Sequence, residues 1–149
     1  EWAEIDLDAA EWRIPASRMK AKKDHRVPLS DRALAILHLG KELADGSGLV
    51  FPGSRYGKPL SENTLSKLTK SLGYEVDAHG FRTSFKTWAQ ERTNTPREVS
   101  EAALAHTIKN KAEAAYARSD LFDKRRRLMD SWSKFVTETR KDNLVKLGG

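Results

Sequence analysis

Cysteine is absent from this chain of 149 residues, and no apolar run is long enough to cross a bilayer. Without cysteine there can be no disulfide framework and no thiolate metal site, which fits a reducing cytoplasm without requiring one. A membrane helix needs roughly 20 consecutive apolar residues, and Glu1 does not open a signal-peptide pattern. We therefore expect a soluble protein, and its length predicts a single domain over residues 1–149 with a core of its own.

Two further classes of site lack their sequence patterns. Gly57 and Lys58 are followed by Pro59, so the chain has no Gly-Lys-Ser/Thr at the start of a helix and no phosphate-binding P-loop. The residues that carry chemistry, described below, also include no cluster of carboxylates of the kind that holds a divalent ion. The sequence therefore predicts neither a bound nucleotide nor a metal, and no other cofactor.

Basic charge is present in excess, with a formal net charge of +6, and it is unevenly distributed. Residues 1–12 carry five acidic side chains and no basic one, whereas residues 13–32 carry seven basic and two acidic ones. A basic block beside an acidic one favours a local surface that faces phosphate groups. An ordinary solvated charged face is the alternative.

The start of the chain predicts a small sheet. Short alternating segments at 4–7 and 11–14 indicate a hairpin, and a third strand is expected at 26–29, where Pro28 places it at an edge. The turn before this third strand carries the basic residues Arg18, Lys20, Lys22 and Lys23. A turn this basic indicates contact with a DNA backbone or minor groove.

Capping residues predict two helices after the sheet. Ser30 caps a helix at 32–44, and Ser61 caps another at 61–71. The apolar positions of the second helix, which we expect to face inward, are Leu65, Leu68 and Leu72.

The second half of the chain predicts a helical core. A helix from about 77 to 94 carries the apolar-periodic residues Phe81, Phe85, Trp88 and Ala89. A capping box at 95–98 begins a short buried helix that ends at His106, a short helix surrounds Tyr116, and a last helix follows Asp120. The predicted class is α+β, mainly α-helical, with a small three-stranded antiparallel sheet at the N-terminus packed on a helical core.

The residues that carry chemistry lie in this helical half. His79 and Arg82 stand three positions apart near the start of the 77–94 helix, so we expect both side chains to face one spot. The N–H groups and positive dipole of a helix N-terminus add to Arg82 and favour an anion, with phosphate the commonest candidate. His106 and Tyr116 follow, and tyrosine is the one later residue of the set that could attack a phosphate. The set points to phosphoryl transfer without metal.

Five segments in this order resemble the tyrosine recombinase family, and most closely its P4-like prophage integrases. They are residues 1–7, 18–20 and 25–30, then His79-Gly80-Phe81-Arg82, then Leu104-Ala105-His106 with Tyr116. The resemblance implies site-specific DNA recombination, such as prophage or genomic-island integration and excision. It also implies a bacterial, cytoplasmic and nucleoid-associated setting, and a tetramer of the full-length protein on double-stranded DNA attachment sites.

The resemblance implies a role for each member of the set. Tyr116 attacks the scissile phosphate, forms a 3′-phosphotyrosyl link and frees a 5′-hydroxyl. His79 acts as the base or proton manager for that tyrosine. Arg82 stabilises charge on the phosphate oxygens through its planar fork, and His106 hydrogen-bonds the phosphate.

Lys20 is the implied general acid that protonates the leaving 5′-oxygen, because it stands seven residues before Val27 as the family's lysine does. Lys22 and Lys23 lie in the same turn and are alternatives for this role. The residues that we predict to contact DNA are Arg18, Lys22, Lys23, Lys124 and Arg125.

One part of the family's site has no counterpart in this sequence. The family has another arginine shortly upstream of the segment that matches residues 1–7. We therefore expect a catalytic domain truncated at its N-terminal edge and inactive alone.

Two other function classes stay open. A type IB topoisomerase shares the residue set but relaxes DNA without exchanging partners. In a non-catalytic basic DNA-binding module, Tyr116 would be inert. Covalent trapping on nicked DNA separates the module from both enzymes.

Overall fold

The computed structural model describes residues 1–76, 78–106 and 119–138 of the chain. Within those ranges it contains a three-stranded antiparallel sheet followed by five α-helices. The prediction of a mainly helical α+β class is therefore confirmed. Tyr116, with the helix predicted around it, lies outside the described residues.

The sheet has the strand order β1 (Ile5–Asp6), β2 (Glu11–Ile14) and β3 (His25–Pro28), with antiparallel neighbours. Trp12 of β2 pairs with an apolar residue on each side, because its partners in the register are Ile5 and Val27. Apolar cross-strand pairs of this kind are the unit of sheet stability. The hairpin and the edge position of β3, which ends at its proline, are as predicted.

Glu11 holds the second strand pair together from inside. Its side chain is buried, and its carboxylate accepts from Arg13 Nε at 2.6 Å and from Arg26 Nη1 at 3.5 Å. Arg13 and Arg26 lie directly opposite each other in the register. Two like charges in such a pair repel, and the shared carboxylate offsets that repulsion.

Two helices follow the sheet. The first, α1 (Asp31–Glu42), begins as predicted, because the Ser30 hydroxyl accepts from the Ala33 N–H at 3.4 Å. The second, α2 (Thr64–Ser71), begins after Asn63 rather than at Ser61.

The prediction of an inward apolar face on α2 is wrong. Leu65, Leu68 and Leu72 are 58, 52 and 64 % exposed, respectively. Apolar spacing alone assigned them to a core, but their burial requires another element packed over the helix. In the part of the chain that the structure describes, no such element covers these leucines.

The hydrophobic core lies between three helices, α3 (Ala78–Arg92), α4 (Arg97–Ala103) and α5 (Phe122–Thr137). Its buried members are Phe85, Trp88 and Ala89 from α3, Val99 from α4 and Leu128 from α5. Trp132 of α5 closes one side, with its ring centroid 5.1 Å from that of Trp88. Phe81, which was predicted on the apolar face of α3, is instead 56 % exposed. The predicted capping box at 95–98 is not formed, because Pro96 is the N-cap of α4 and no side chain caps it.

Arginines of α5 fasten the sheet to the helical core. Arg125 is 1 % exposed and donates from Nη1 to the Arg26 carbonyl in β3 at 2.6 Å and from Nε to the Asp120 carbonyl at 2.7 Å. Arg126 donates from Nη2 to the Ala9 carbonyl, in the β1–β2 turn, at 3.0 Å. The position of the sheet relative to α5 is therefore set by charge-assisted bonds to backbone oxygens.

Candidate active site

The start of α3 and the end of α4 meet at one point on the surface. Arg82 Nη2 donates to the Leu104 carbonyl at 2.9 Å and lies 3.1 Å from His106 Nε2. Two residues 24 positions apart in the sequence thus share one contact. The structure brings together the arginine and the second histidine of the predicted set.

A C-terminal helix cap positions His106. Leu104 ends α4 and Ala105 adopts the left-handed conformation with φ 54°. The Ala105 N–H donates to the Ala102 carbonyl at 3.1 Å, and the His106 N–H donates to the Glu101 carbonyl at 3.0 Å. This pair of bonds is the Schellman motif, which turns the chain sharply out of the helix. The turn directs the imidazole back toward α3.

A carboxylate from the same helix holds the far side of that imidazole. Glu101 Oε2 contacts His106 Nδ1, and Glu101 Oε1 contacts Lys86 Nζ. Lys86 Nζ also donates to the Ser100 hydroxyl at 3.2 Å, and Arg97 Nε lies 3.4 Å from Oε1. Glu101 therefore accepts from three side chains.

The charges of this cluster determine where the hydrogens lie. The hydrogen bond from Lys86, and after it the bond from His106, lowers the pKa of Glu101 to about 2. An ionised carboxylate only accepts, so His106 Nδ1 must carry a hydrogen. Arg82 only donates, so His106 Nε2 accepts from it. A neutral imidazole protonated at Nδ1 satisfies both neighbours, an assignment that follows from the network.

Arg82 retains donors for a ligand. Its side chain is exposed, and its bonds to Leu104 and His106 use only Nη2. No other described residue bonds to its Nε or Nη1. A guanidinium with a free edge beside the start of a helix is suited to an anion with several oxygens, such as a phosphodiester.

His79 lies one turn before Arg82 on α3 and is exposed. Its carbonyl accepts from the Thr83 hydroxyl at 3.5 Å, and among the described residues its ring makes no hydrogen bond. The structure therefore places His79 at the same helix end without a direct bond between its ring and Arg82 or His106.

The predicted general acid lies on the connection between β2 and β3. Lys20, Lys22 and Lys23 are all exposed there, and the backbone of Lys22 is left-handed with φ 52°. Within the described ranges, Lys20 forms no bond to the α3 and α4 residues of the site. The three lysines present their charge to solvent.

Two of the predicted DNA contacts are bonded to other residues of the chain, one on the surface and one in the interior. Arg18 Nη1 lies 2.5 and 2.7 Å from the two carboxylate oxygens of Glu4. Arg125 is buried, and its guanidinium donates to the Arg26 carbonyl and to the Asp120 carboxylate. A buried guanidinium cannot reach DNA. Arg125 is therefore not part of the basic surface to which its sequence position assigned it. The adjacent Lys124 is exposed.

Sequence reasoning missed Glu101 and Lys86. Their signal is positional: Lys86 stands one helical turn after Arg82, and Glu101 stands in the last turn of α4, five residues before His106. Both spacings place side chains on the face that looks at the candidate site. Charged residues at such spacings are common on exposed faces, so the pattern alone did not single them out.

Other kinds of site find no support in the part of the chain that is described. Its His, Asp and Glu side chains do not gather in any group of three that could hold a metal ion. Of the helices seen there, none has both the length and the apolar character to cross a membrane.

Comparison with known proteins gives one consistent family. Residues 1–121 match the Phage integrase family. The chain is 42% identical over 147 residues to prophage integrase IntA of Escherichia coli, covering 97% of this chain and 35% of that protein. It is 34% identical to the integrase of Enterobacteria phage P4 and 33% identical to that of Shigella phage Sf6, covering 93% of this chain in both cases and 36 and 37% of those proteins.

The chain thus spans about a third of the length of these relatives, and no solved structure matches it significantly. The family match covers the strands, the α3 and α4 residues of the candidate site, and Tyr116. The chain belongs to the phage integrase family of tyrosine recombinases.

Proposed function

We propose that this chain is the catalytic part of a longer protein that carries out DNA cleavage and rejoining in site-specific recombination, such as integration or excision of a prophage or genomic island. The observation that carries the proposal is the contact between Arg82 and His106 at the start of α3. It gathers a permanent cation and a polarisable ring at a helix end, where a scissile phosphate can be bound through its non-bridging oxygens. Membership of the integrase family supports this use of the site.

In the proposed reaction, Tyr116 is the nucleophile. Its hydroxyl oxygen attacks the phosphorus, its proton passes to His79, and the new bond is a 3′-phosphotyrosyl ester. A tyrosine has an ordinary pKa of about 10, so it needs a base and charge stabilisation to react at neutral pH. Arg82 and His106 supply the stabilisation, because negative charge on the non-bridging oxygens grows as the phosphorus becomes five-coordinate.

The leaving 5′-oxygen takes a proton from Lys20 as its bond to phosphorus breaks. The strand is rejoined when a 5′-hydroxyl attacks the phosphotyrosyl ester in the reverse sense. Because one ester is exchanged for another, no external energy source is needed. Lys20 lies on a turn between two strands, which is a position from which a long side chain can reach a bound backbone.

The proposed partner is double-stranded DNA at attachment sites, bound by a tetramer of the full-length recombinase in a bacterial cell. The exposed turn with Lys22 and Lys23, together with Lys124 on α5, supplies sequence-independent phosphate contacts. Arg18 contributes only where DNA displaces it from Glu4, and Arg125 is not part of this surface.

Covalent trapping tests the proposal. In a duplex with a nick just beyond the cleavage position, cleavage releases a short fragment that carries the free 5′-hydroxyl. This fragment diffuses away and cannot rejoin the strand, so the phosphotyrosyl adduct accumulates. We expect the natural protein that carries this sequence to form an adduct on the peptide that contains Tyr116, and Tyr116→Phe to bind DNA without forming it. Tyr74→Phe, which alters an exposed tyrosine outside the site, is the matched control and should trap normally.

An adduct that persists in Tyr116→Phe would show that the nucleophile is misassigned. The absence of any adduct with the unmodified protein would favour a DNA-binding module. An adduct accompanied by relaxation of supercoiled DNA, with no exchange between paired attachment sites, would favour topoisomerase activity over recombination.

A further inference from the structure

Glu101 contacts His106 twice, through its backbone and through its side chain. The Glu101 carbonyl accepts from the His106 N–H at 3.0 Å, and the Glu101 carboxylate contacts His106 Nδ1. The first bond fixes where the residue leaves the helix, and the second fixes the rotation of the ring. Together they leave Nε2 as the ring atom that faces Arg82.

We propose that Glu101 is a positioning residue that sets the tautomer and the orientation of His106 toward the scissile phosphate, with Lys86 fixing the carboxylate. This inference rests on the proposed function of the Arg82–His106 site. Glu101 touches neither DNA nor reacting atoms in this role. It acts through the ring, as the partners of reactive histidines commonly do.

Lys86 makes the arrangement directional. Its ammonium group can only donate, and it bonds to Oε1 of Glu101. The other carboxylate oxygen, Oε2, is therefore the acceptor for His106. Lys86 also reaches the buried Ser100, whose hydroxyl in turn donates to the Arg97 carbonyl at 2.9 Å. The carboxylate therefore has little freedom to rotate.

The same contacts set the separation of the two phosphate-binding groups. Arg82 and Lys86 lie one turn apart on α3, and each is bonded to α4 or its exit, through Leu104 and through Glu101 respectively. Two links one turn apart prevent α4 from pivoting on α3. When a phosphate oxygen replaces Arg82 as the neighbour of His106 Nε2, the ring takes up a second proton from solvent at Nε2 and donates it to that oxygen. The Glu101 carboxylate at Nδ1 then balances the positive charge of the ring.

The substitution Glu101→Gln makes a sharp test because an amide has one acceptor and one donor end. Lys86 will draw the amide oxygen, which leaves the NH₂ group facing His106 Nδ1. We expect the ring to invert to the tautomer protonated at Nε2, which no longer accepts from Arg82. Glu98→Gln, on the exposed face of the same helix, is the matched control.

The first measurement is long-range ¹H–¹⁵N NMR of the ring nitrogens in the 149-residue chain without DNA, with His106 assigned by its loss in His106→Gln. The unmodified chain and Glu98→Gln should show Nδ1 protonated, and Glu101→Gln should show Nε2 protonated. If circular dichroism shows that Glu101→Gln is not folded, Glu101→Ala serves, since loss of the acceptor also removes the preference for Nδ1. Retention of the Nδ1 tautomer in a folded Glu101 variant overturns the inference.

The second measurement is the rate of covalent attachment to nicked DNA by the natural protein. We expect Glu101→Gln to lower this rate by about 10- to 100-fold, because a neutral amide cannot balance the charge of the doubly protonated ring and no longer fixes its orientation. Glu98→Gln should leave it unchanged. An unchanged rate in Glu101→Gln contradicts the positioning role. If the unmodified protein forms no adduct at all, the proposed function has failed and the role in catalysis fails with it, whereas the tautomer result still reports whether Glu101 orients the ring.

Discussion

Arg125→Ala should destabilise the protein strongly, although the residue lies in a run of basic side chains that reads as surface. The Arg125 guanidinium donates to the Arg26 and Asp120 carbonyls and lies 3.1 Å from the Asp120 carboxylate. Truncation leaves these acceptors without their donor beneath α5. Leaving a buried carbonyl without its donor costs about 1–3 kcal/mol, so the two carbonyls together should cost about 3–5 kcal/mol, whereas the Asp120 carboxylate is 44% exposed and adds little.

Urea denaturation followed by circular dichroism measures this cost. If the unfolding free energy falls by about 2 kcal/mol per molar urea, the urea concentration at the midpoint of unfolding should fall by about 1.5–2.5 M. Lys124→Ala, the exposed neighbour, should change the unfolding free energy by no more than about 0.5 kcal/mol. Arg125→Met retains much of the aliphatic packing, so a midpoint equal to that of the unmodified protein would refute the claim that the hydrogen bonds of Arg125 fasten the sheet.

Three further outcomes follow from the same structure. Val99 is fully buried between α3, α4 and α5, so Val99→Ala should cost about 2 kcal/mol in the same urea assay, and a loss below about 0.5 kcal/mol would contradict its place in the core. The pKa of Glu101 lies below its ordinary 4.5, at about 2, so its stabilising contribution is complete above pH 4.5 and is lost as the pH falls toward 2. Because part of its side chain meets solvent, we expect the unfolding free energy to fall by only about 1–2 kcal/mol from this group between pH 6 and pH 3. Glu101→Gln should lack this part of the pH dependence. Replacing Lys20, Lys22 and Lys23 together by alanine should flatten the slope of log DNA affinity against log salt by about two to three units, and an unchanged slope would remove this turn from the DNA surface.

Much of the fold could be predicted because local signals agreed with the tertiary structure. Ser30 caps α1 as its position before an apolar-periodic run predicts, and the period of Phe85, Trp88 and Ala89 identifies the buried face of α3. The meeting of Arg82 with His106 followed from the resemblance in motif order, since no local signal joins residues 24 positions apart.

The rest depended on contacts that a linear pattern does not carry. Leu65 and its neighbours on α2 have the spacing of a core helix, yet burial depends on whether another element packs over them. Arg125 looks like its basic neighbours, and only the position of β3 shows that its guanidinium meets backbone carbonyls there. The expected capping box did not form because α4 begins one residue later than predicted, with Pro96 rather than Thr95 at its N-cap.

The most direct test of the central claim is the single-turnover rate at which the Arg82→Ala variant of the natural protein attaches covalently to nicked attachment-site DNA. If Arg82 and His106 bind the scissile phosphate, loss of this donor should slow attachment by at least about 10²- to 10³-fold while DNA affinity changes little. Arg92→Ala, at the exposed far end of the same helix, should attach at the unmodified rate. Attachment by Arg82→Ala at a rate comparable to that of Arg92→Ala would contradict the assignment of this contact as the phosphate site.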